Sequence, residues 1–112
     1  MIIIHCIQEA IYHQQKDSDW IGEHLLLDED FIHCSTPDQF SFVSPRFDHT
    51  KEQLILLALD TDKIAHPIRW EGKEMFGKDF PHIYGLINCD SIIAVYPYLR
   101  KEDGSWIKNP EL

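Results

Sequence analysis

The chain has 112 residues, 44% hydrophobic and 12% aromatic, which is enough for one domain with a real core and too little for two. A formal charge of −9 and an isoelectric point near 5.0 argue against nucleic acid as a partner, because backbone binding needs Lys and Arg to neutralise phosphates. A basic surface or a small anion held in a local pocket of Arg, His and N–H groups is still allowed.

In chain order, Met1 to Ile4 is apolar but has neither a basic n-region nor a long h-region, so it reads as the start of a strand and not as a leader. Ile2 to Ile7 should be that strand, with Ile2, Ile4 and Cys6 on one face and Ile3, His5 and Ile7 on the other. Gln8 to Lys16 is rich in helix formers. Trp20 to Asp30 is irregular, with a short strand at His24 to Leu27. Phe31 to Cys34 predicts a strand that gives way to a helix, since Thr36 and Gln39 fit a capping box with Pro37 in the first helical position. Phe40, Val43 and Phe47 follow at helical spacing, and Pro45 breaks the helix near Ser44.

Leu54 to Leu59 is a continuous apolar run, as in a central strand buried on both faces. Asp60 to Pro67 connects, with Ile64 plugging the core. Ile68 to Glu71 alternates, placing Ile68 and Trp70 toward the core and Arg69 and Glu71 away from it. Gly72 to Asp79 reads as a mobile surface loop and Phe80 to Gly85 as a shaped one. Ser91 to Leu99 is a last strand, and residues 100–112 form a polar tail in which Trp106 docks. One compact domain over residues 1–99 is expected, of α+β class with a mixed or antiparallel sheet.

Cys6, Cys34 and Cys89 are an odd number with no CxxC pair, which suits a reducing cytoplasm better than a secreted disulfide framework. No apolar run approaches bilayer length, so a soluble cytoplasmic protein without a membrane partner is expected. The dipeptides His5-Cys6 and His33-Cys34 invite a zinc reading, but strand alternation sends neighbours to opposite faces, and no metal is expected. Alternation assigns Cys6 and Cys34 to packing and His5 and His33 to the opposite faces. Ser35, two residues beyond His33, could pair with it as nucleophile and base, with Glu71 as orienter. Its place ahead of a helix favours capping or holding an anion instead. Glu71 with Arg69 reads either as a plain ion pair or as a cleft carboxylate, and His82 with Tyr84 either as loop filling or as the wall of a flat-ligand pocket.

The order Ile3-Ile4-His5, Phe31-Ile32-His33-Cys34-Ser35 with Gln39, Arg69-Trp70-Glu71 and Phe80-Pro81-His82-Ile83-Tyr84-Gly85 resembles the bacterial family named domain of unknown function 952. The resemblance runs from the first strand to about Leu99. That family is grouped with the ADP-ribosyltransferase-like superfamily, which implies a split, mostly antiparallel β core with two or three short helices and an NAD cleft. By the same resemblance His5, His33 and Glu71 would be the catalytic residues. Ser35, Arg69, His82 and Tyr84 would bind NAD as substrate, and a protein or small molecule would be the acceptor. The alternative is a non-catalytic module that binds a nucleotide or small metabolite. Either reading needs His5, His33, Glu71 and His82 around one concavity.

Overall fold

The computed structural model describes residues 1–112. In chain order the elements are β1 (Ile2–Gln8), α1 (Glu9–Gln15), β2 (Trp20–Ile21), α2 (Glu23–Leu26), β3 (Ile32–His33), α3 (Phe40–Val43), β4 (Leu54–Asp60) and β5 (Ile68–Glu71). Then come α4 (Lys73–Phe76), β6 (Phe80–Ile83), β7 (Ile87–Asn88), β8 (Ile92–Pro97), β9 (Leu99–Arg100) and β10 (Trp106–Ile107).

β4 is the spine. Residues 54–59 are all buried, which is why the run is continuously apolar. It pairs antiparallel with β1 on one side and β8 on the other. Ile55, Leu57 and Leu59 join Ile3, Ile7, Ile21, Ile32 and Ile83 in the larger core. Leu54, Leu56 and Ala58 join Ile4, Phe40 and Tyr98 in a smaller core on the opposite face. Each Leu, Ile or Phe among them contributes about 1.5–3 kcal/mol on leaving water. The alternation expected for β1 holds, and both of its faces are covered.

The second sheet, in the order β3-β6-β5, is also antiparallel. Its register puts Ile32, Ile83 and Ile68 in one row and His33, His82 and Arg69 in the next. Directly opposite residues share a face, so the isoleucine row packs inward while the His-His-Arg row faces away. Two two-stranded ladders, β2-β7 and β9-β10, complete the fold. It is an α+β fold with antiparallel sheets.

Several local expectations are overturned. Helices number four, and α2 stands where a strand was expected at His24 to Leu27; it starts at Gly22, whose φ of 109° is left-handed, and packs Leu25 and Leu26 onto the core. Trp20 and Ile21 form β2 within the stretch read as irregular. Gly72 to Asp79 contains α4, closed by a left-handed Gly77 and held by the Asp79 carboxylate accepting the Lys73 N–H at 3.0 Å. Phe80 to Ile83 is a buried strand central to its sheet, although Pro81 and Gly85 suggested a loop. Trp70 is 42% exposed, because β5 is an edge strand whose inward row stops at Ile68. Trp106 docks against Phe40 at 5.0 Å, and the segment expected to be a polar tail adds β10 to β9. The two capping-box bonds form reciprocally, Gln39 N–H donating to Thr36 Oγ1 and Thr36 N–H to Gln39 Oε1, both at 3.1 Å. They close a turn over residues 37–39, however, so Pro37 is not the first helical residue and α3 begins at Phe40. The helix then tightens to 3-10 at Ser44–Phe47, with Pro45 in its first turn.

Candidate functional site

The site begins with an interrupted ladder. Cys34 N–H donates to Pro81 C=O at 3.1 Å, and Pro81, lacking an N–H, cannot return the bond, so β3 ends at His33. The chain then crosses to the free edge of β1, where Ser35 and Ile4 exchange backbone bonds of 2.6 and 2.9 Å. In an antiparallel ladder alternate residues face opposite edges. With Ile4 turned outward to Ser35, Cys6 two residues on turns its N–H and C=O outward too. Beyond the single bridge lies a cavity of about 370 Å³. Its lining includes Ile4, His5, Cys6, Cys34 and Ser35, with Phe31 and His33 from the β3 side, His24, Leu25, Asp28 and Glu29 around α2, and Phe40, Val43 and Phe47 from α3 and its extension.

His5 forms the polar floor. Its Nδ1 lies 2.7 Å from the His33 carbonyl oxygen; a carbonyl only accepts, so Nδ1 carries the hydrogen. Nε2 is then left as an acceptor, buried and without a hydrogen-bond partner, as is the Ser35 hydroxyl. Burial pulls the imidazole from 6.5 to about 4, against the opposing pull of the His33 carbonyl bond and with smaller contributions from His24 and His33. The ring is therefore neutral at pH 7. His33, half exposed at the mouth, donates from Nε2 to Glu29 Oε2 at 2.6 Å.

A second constellation lies on the outer face of the β3-β6-β5 sheet. Glu71 Oε1 accepts from the Tyr84 hydroxyl at 2.5 Å and from His82 Nδ1 at 3.1 Å. The Tyr84 bond, then the His82 bond, hold this carboxyl below the ordinary Glu value. The same bond raises the Tyr84 phenol. The Arg69 guanidinium stands 4.7 Å from the Tyr84 ring centre. Phe31 connects the two parts: it lines the cavity and stacks on His82 at 4.1 Å and 12°, while the His33 and His82 rings meet edge-on at 5.2 Å.

The structure thus brings His5, His33 and Ser35 together around the cavity. It sets Arg69, Glu71, His82 and Tyr84 behind its Phe31 wall. A His33–Ser35–Glu71 triad does not form, because His33 is held by Glu29 and Glu71 by Tyr84 and His82. The anion nest expected at Ser35 is also absent: its N–H is bonded to Ile4, the Thr36 N–H to Gln39, and α3 starts only at Phe40. His5 and His33, expected to be alike, differ: one is 5% exposed and the other open to solvent. Cys6 and Cys34 pack as expected but also border the cavity. Burial pushes the Cys6 thiol up to about 12 and raises that of Cys34 further, so neither is a thiolate. No group of three or more His, Cys, Asp or Glu side chains is placed to hold a metal ion.

Sequence reasoning missed Glu29 and Phe31 as site residues. Phe31 had a signal, since it shares the His33 face by alternation. Glu29 had none, because its approach to His33 depends on how the chain turns after α2.

Two solved structures of protein CC0527 from Caulobacter crescentus share this fold. The crystal structure has a TM-score of 0.81 at 20% identity, covering 96% of this chain and 94% of that one. The solution structure has a TM-score of 0.75 at 22% identity, covering 93% and 90%. No curated protein matches the chain. The model of a family described as protein of unknown function, DUF952, matches residues 5–95, most of the chain including the second half of β1, most of the cavity lining and the Glu71 constellation, and the chain belongs to that family.

Proposed function

We propose that the cleft processes a nucleotide by ADP-ribosyl transfer from NAD or a closely related reaction, with the ADP-ribosyltransferase-like relationship as its fold-level counterpart. The observation that supports this is the lining of the cavity, which includes His5 and Ser35, whose Nε2 and Oγ are buried and unpartnered, together with aromatic side chains. Buried polar groups are ordinarily hydrogen-bonded, and two bare ones at a cavity of nucleoside size suit a ribose or an amide. In the transfer, the bond between the anomeric carbon and the nicotinamide nitrogen breaks and its electron pair leaves with nicotinamide. The acceptor nucleophile closes on that carbon and gives up a proton. His5 and Ser35 hold the nicotinamide riboside end, with His33 at the mouth and Arg69 on the outer side for the pyrophosphate. Glu71, held ionised, supplies negative charge to the developing oxocarbenium, since Oε2 accepts no hydrogen bond within the protein.

A second reading, a nucleotide or small-metabolite binding module, is favoured by one feature: Glu71 lies behind Phe31 and does not line the cavity. Thermal shift and NMR titration with NAD and ADP-ribose, followed by mass spectrometry for released nicotinamide, test both. Transfer predicts stabilisation, nicotinamide release and a loss of turnover of about 100-fold in Glu71→Gln. Binding without release leaves the module, and no response to any nucleotide overturns both.

A further inference from the structure

We propose that the cavity at the β1 edge selects an uncharged or positively charged ring compound that donates hydrogen bonds, such as an aryl carboxamide, and rejects the corresponding carboxylate. The inference deepens the nucleotide reading by naming which end of the substrate enters, and it rests on that reading for the ligand's general class.

Three groups set the preference. The His5 ring must use Nδ1 as donor to the His33 carbonyl, so Nε2, buried and unpartnered on a residue that lines the cavity, carries a lone pair and no hydrogen. The Cys6 carbonyl, turned to the open edge by the register of β1, is a second acceptor, and its N–H is a lone donor beside it. The Ser35 hydroxyl can play either part. A carboxamide, with NH₂ toward Nε2 and its oxygen toward a donor, satisfies such a floor. A carboxylate would place a second lone pair against Nε2, leaving a buried charge without a partner.

Charge points the same way. The ionisable groups lining the cavity are His5, His24, His33, Asp28 and Glu29 with the two buried thiols, and no Lys or Arg is among them. Arg100, whose charge reaches Cys6, directs its N–H groups to the carbonyls of Phe47, Thr50 and Gly104. A carboxylate or phosphate would enter a space bounded by two acidic side chains and no available cation, whereas a cationic ring meets Asp28, Glu29 and the face of Phe31.

The test compares nicotinamide riboside with nicotinic acid riboside, which differ only in carboxamide against carboxylate, by NMR titration of the full chain at neutral pH. ADP-ribose is titrated in parallel. The carboxamide should bind at least about tenfold tighter, since an unpaired buried group costs about 1–3 kcal/mol and 1.4 kcal/mol is tenfold. His5→Asn keeps an N–H for the His33 carbonyl but has no acceptor at the Nε2 position, and it should cut the discrimination to within about threefold. Ser35→Ala gives an independent check should that variant not fold, and it should weaken carboxamide binding. Equal or inverted affinities for the two ribosides overturn the inference, as does failure of both to bind. If ADP-ribose still binds in that case, the nucleotide reading stands without the selectivity; if it too fails, both fall.

Discussion

The neutral His5 has a measurable cost in acid. Its imidazole sits at about 4 in the folded chain against 6.5 unfolded, so between those values the unfolded chain binds the extra proton. Stability therefore rises with pH through this window: it is fully present above 6.5 and lost as pH falls toward 4. At about 1.4 kcal/mol per unit of difference, the full loss is about 3 kcal/mol below pH 4, and about 2 kcal/mol of it has gone by pH 5. Against the 5–15 kcal/mol typical of a domain, that is a large fraction. With a urea slope of about 1–3 kcal/mol per molar, the midpoint followed by tryptophan fluorescence should fall by roughly 1 M from pH 7 to pH 5. Glu71 and Asp103, both held low, add their loss mainly below the ordinary carboxylate range. His5→Asn, which cannot titrate, removes the His5 share, so its midpoint should change less than that of wild type by about this amount. Equal pH dependence in the two proteins would refute the reasoning, because it would mean that the buried ring takes its proton in place.

Two further outcomes follow from the packing and the outer constellation. Leu57→Ala, at a fully buried position in the middle of β4, should cost about 2–5 kcal/mol in urea unfolding, while Ile93→Ala on the exposed face of β8 should change little. Tyr84→Phe removes the first of the two donors to Glu71, so the Glu71 carboxyl, followed by NMR through its pH titration, should move up toward the ordinary Glu value.

What was legible in the sequence follows the length of each signal. β1 and β4 are seven residues each and show either a period of two or a continuous apolar run, and β8 lies within the stretch read as the final strand. α2 and α4 are single turns of four residues, shorter than one helical repeat of the hydrophobic pattern. Their existence depends on left-handed glycines and on the surface beneath them. β6 was hidden because Pro81 and Gly85 are turn residues by composition. Alternation sorted the faces of β1 and β3 well enough to single out His5 and His33. It could not tell that the His5 face would be covered by the second sheet and α2 while the His33 face stayed open, because cover is supplied by elements distant in the chain.

The proline that hid β6 also accounts for the site. In the β3–β6 register, Ile32 faces Ile83 and His33 faces His82, so Cys34 would be next, opposite Pro81. A residue with an N–H at 81 could return the Cys34 bond and extend β3 beside β6. With proline there the ladder closes on one bond, and the chain is released at Ser35 to bridge Ile4 on the other sheet. That one crossing ties the two sheets together, brings Ser35 into the lining of the cavity with His5, and leaves the β1 edge at Cys6 uncovered. Cavity floor, acceptor geometry and sheet junction therefore depend on the same missing hydrogen, which makes Pro81 as much a part of the site as the side chains that line it.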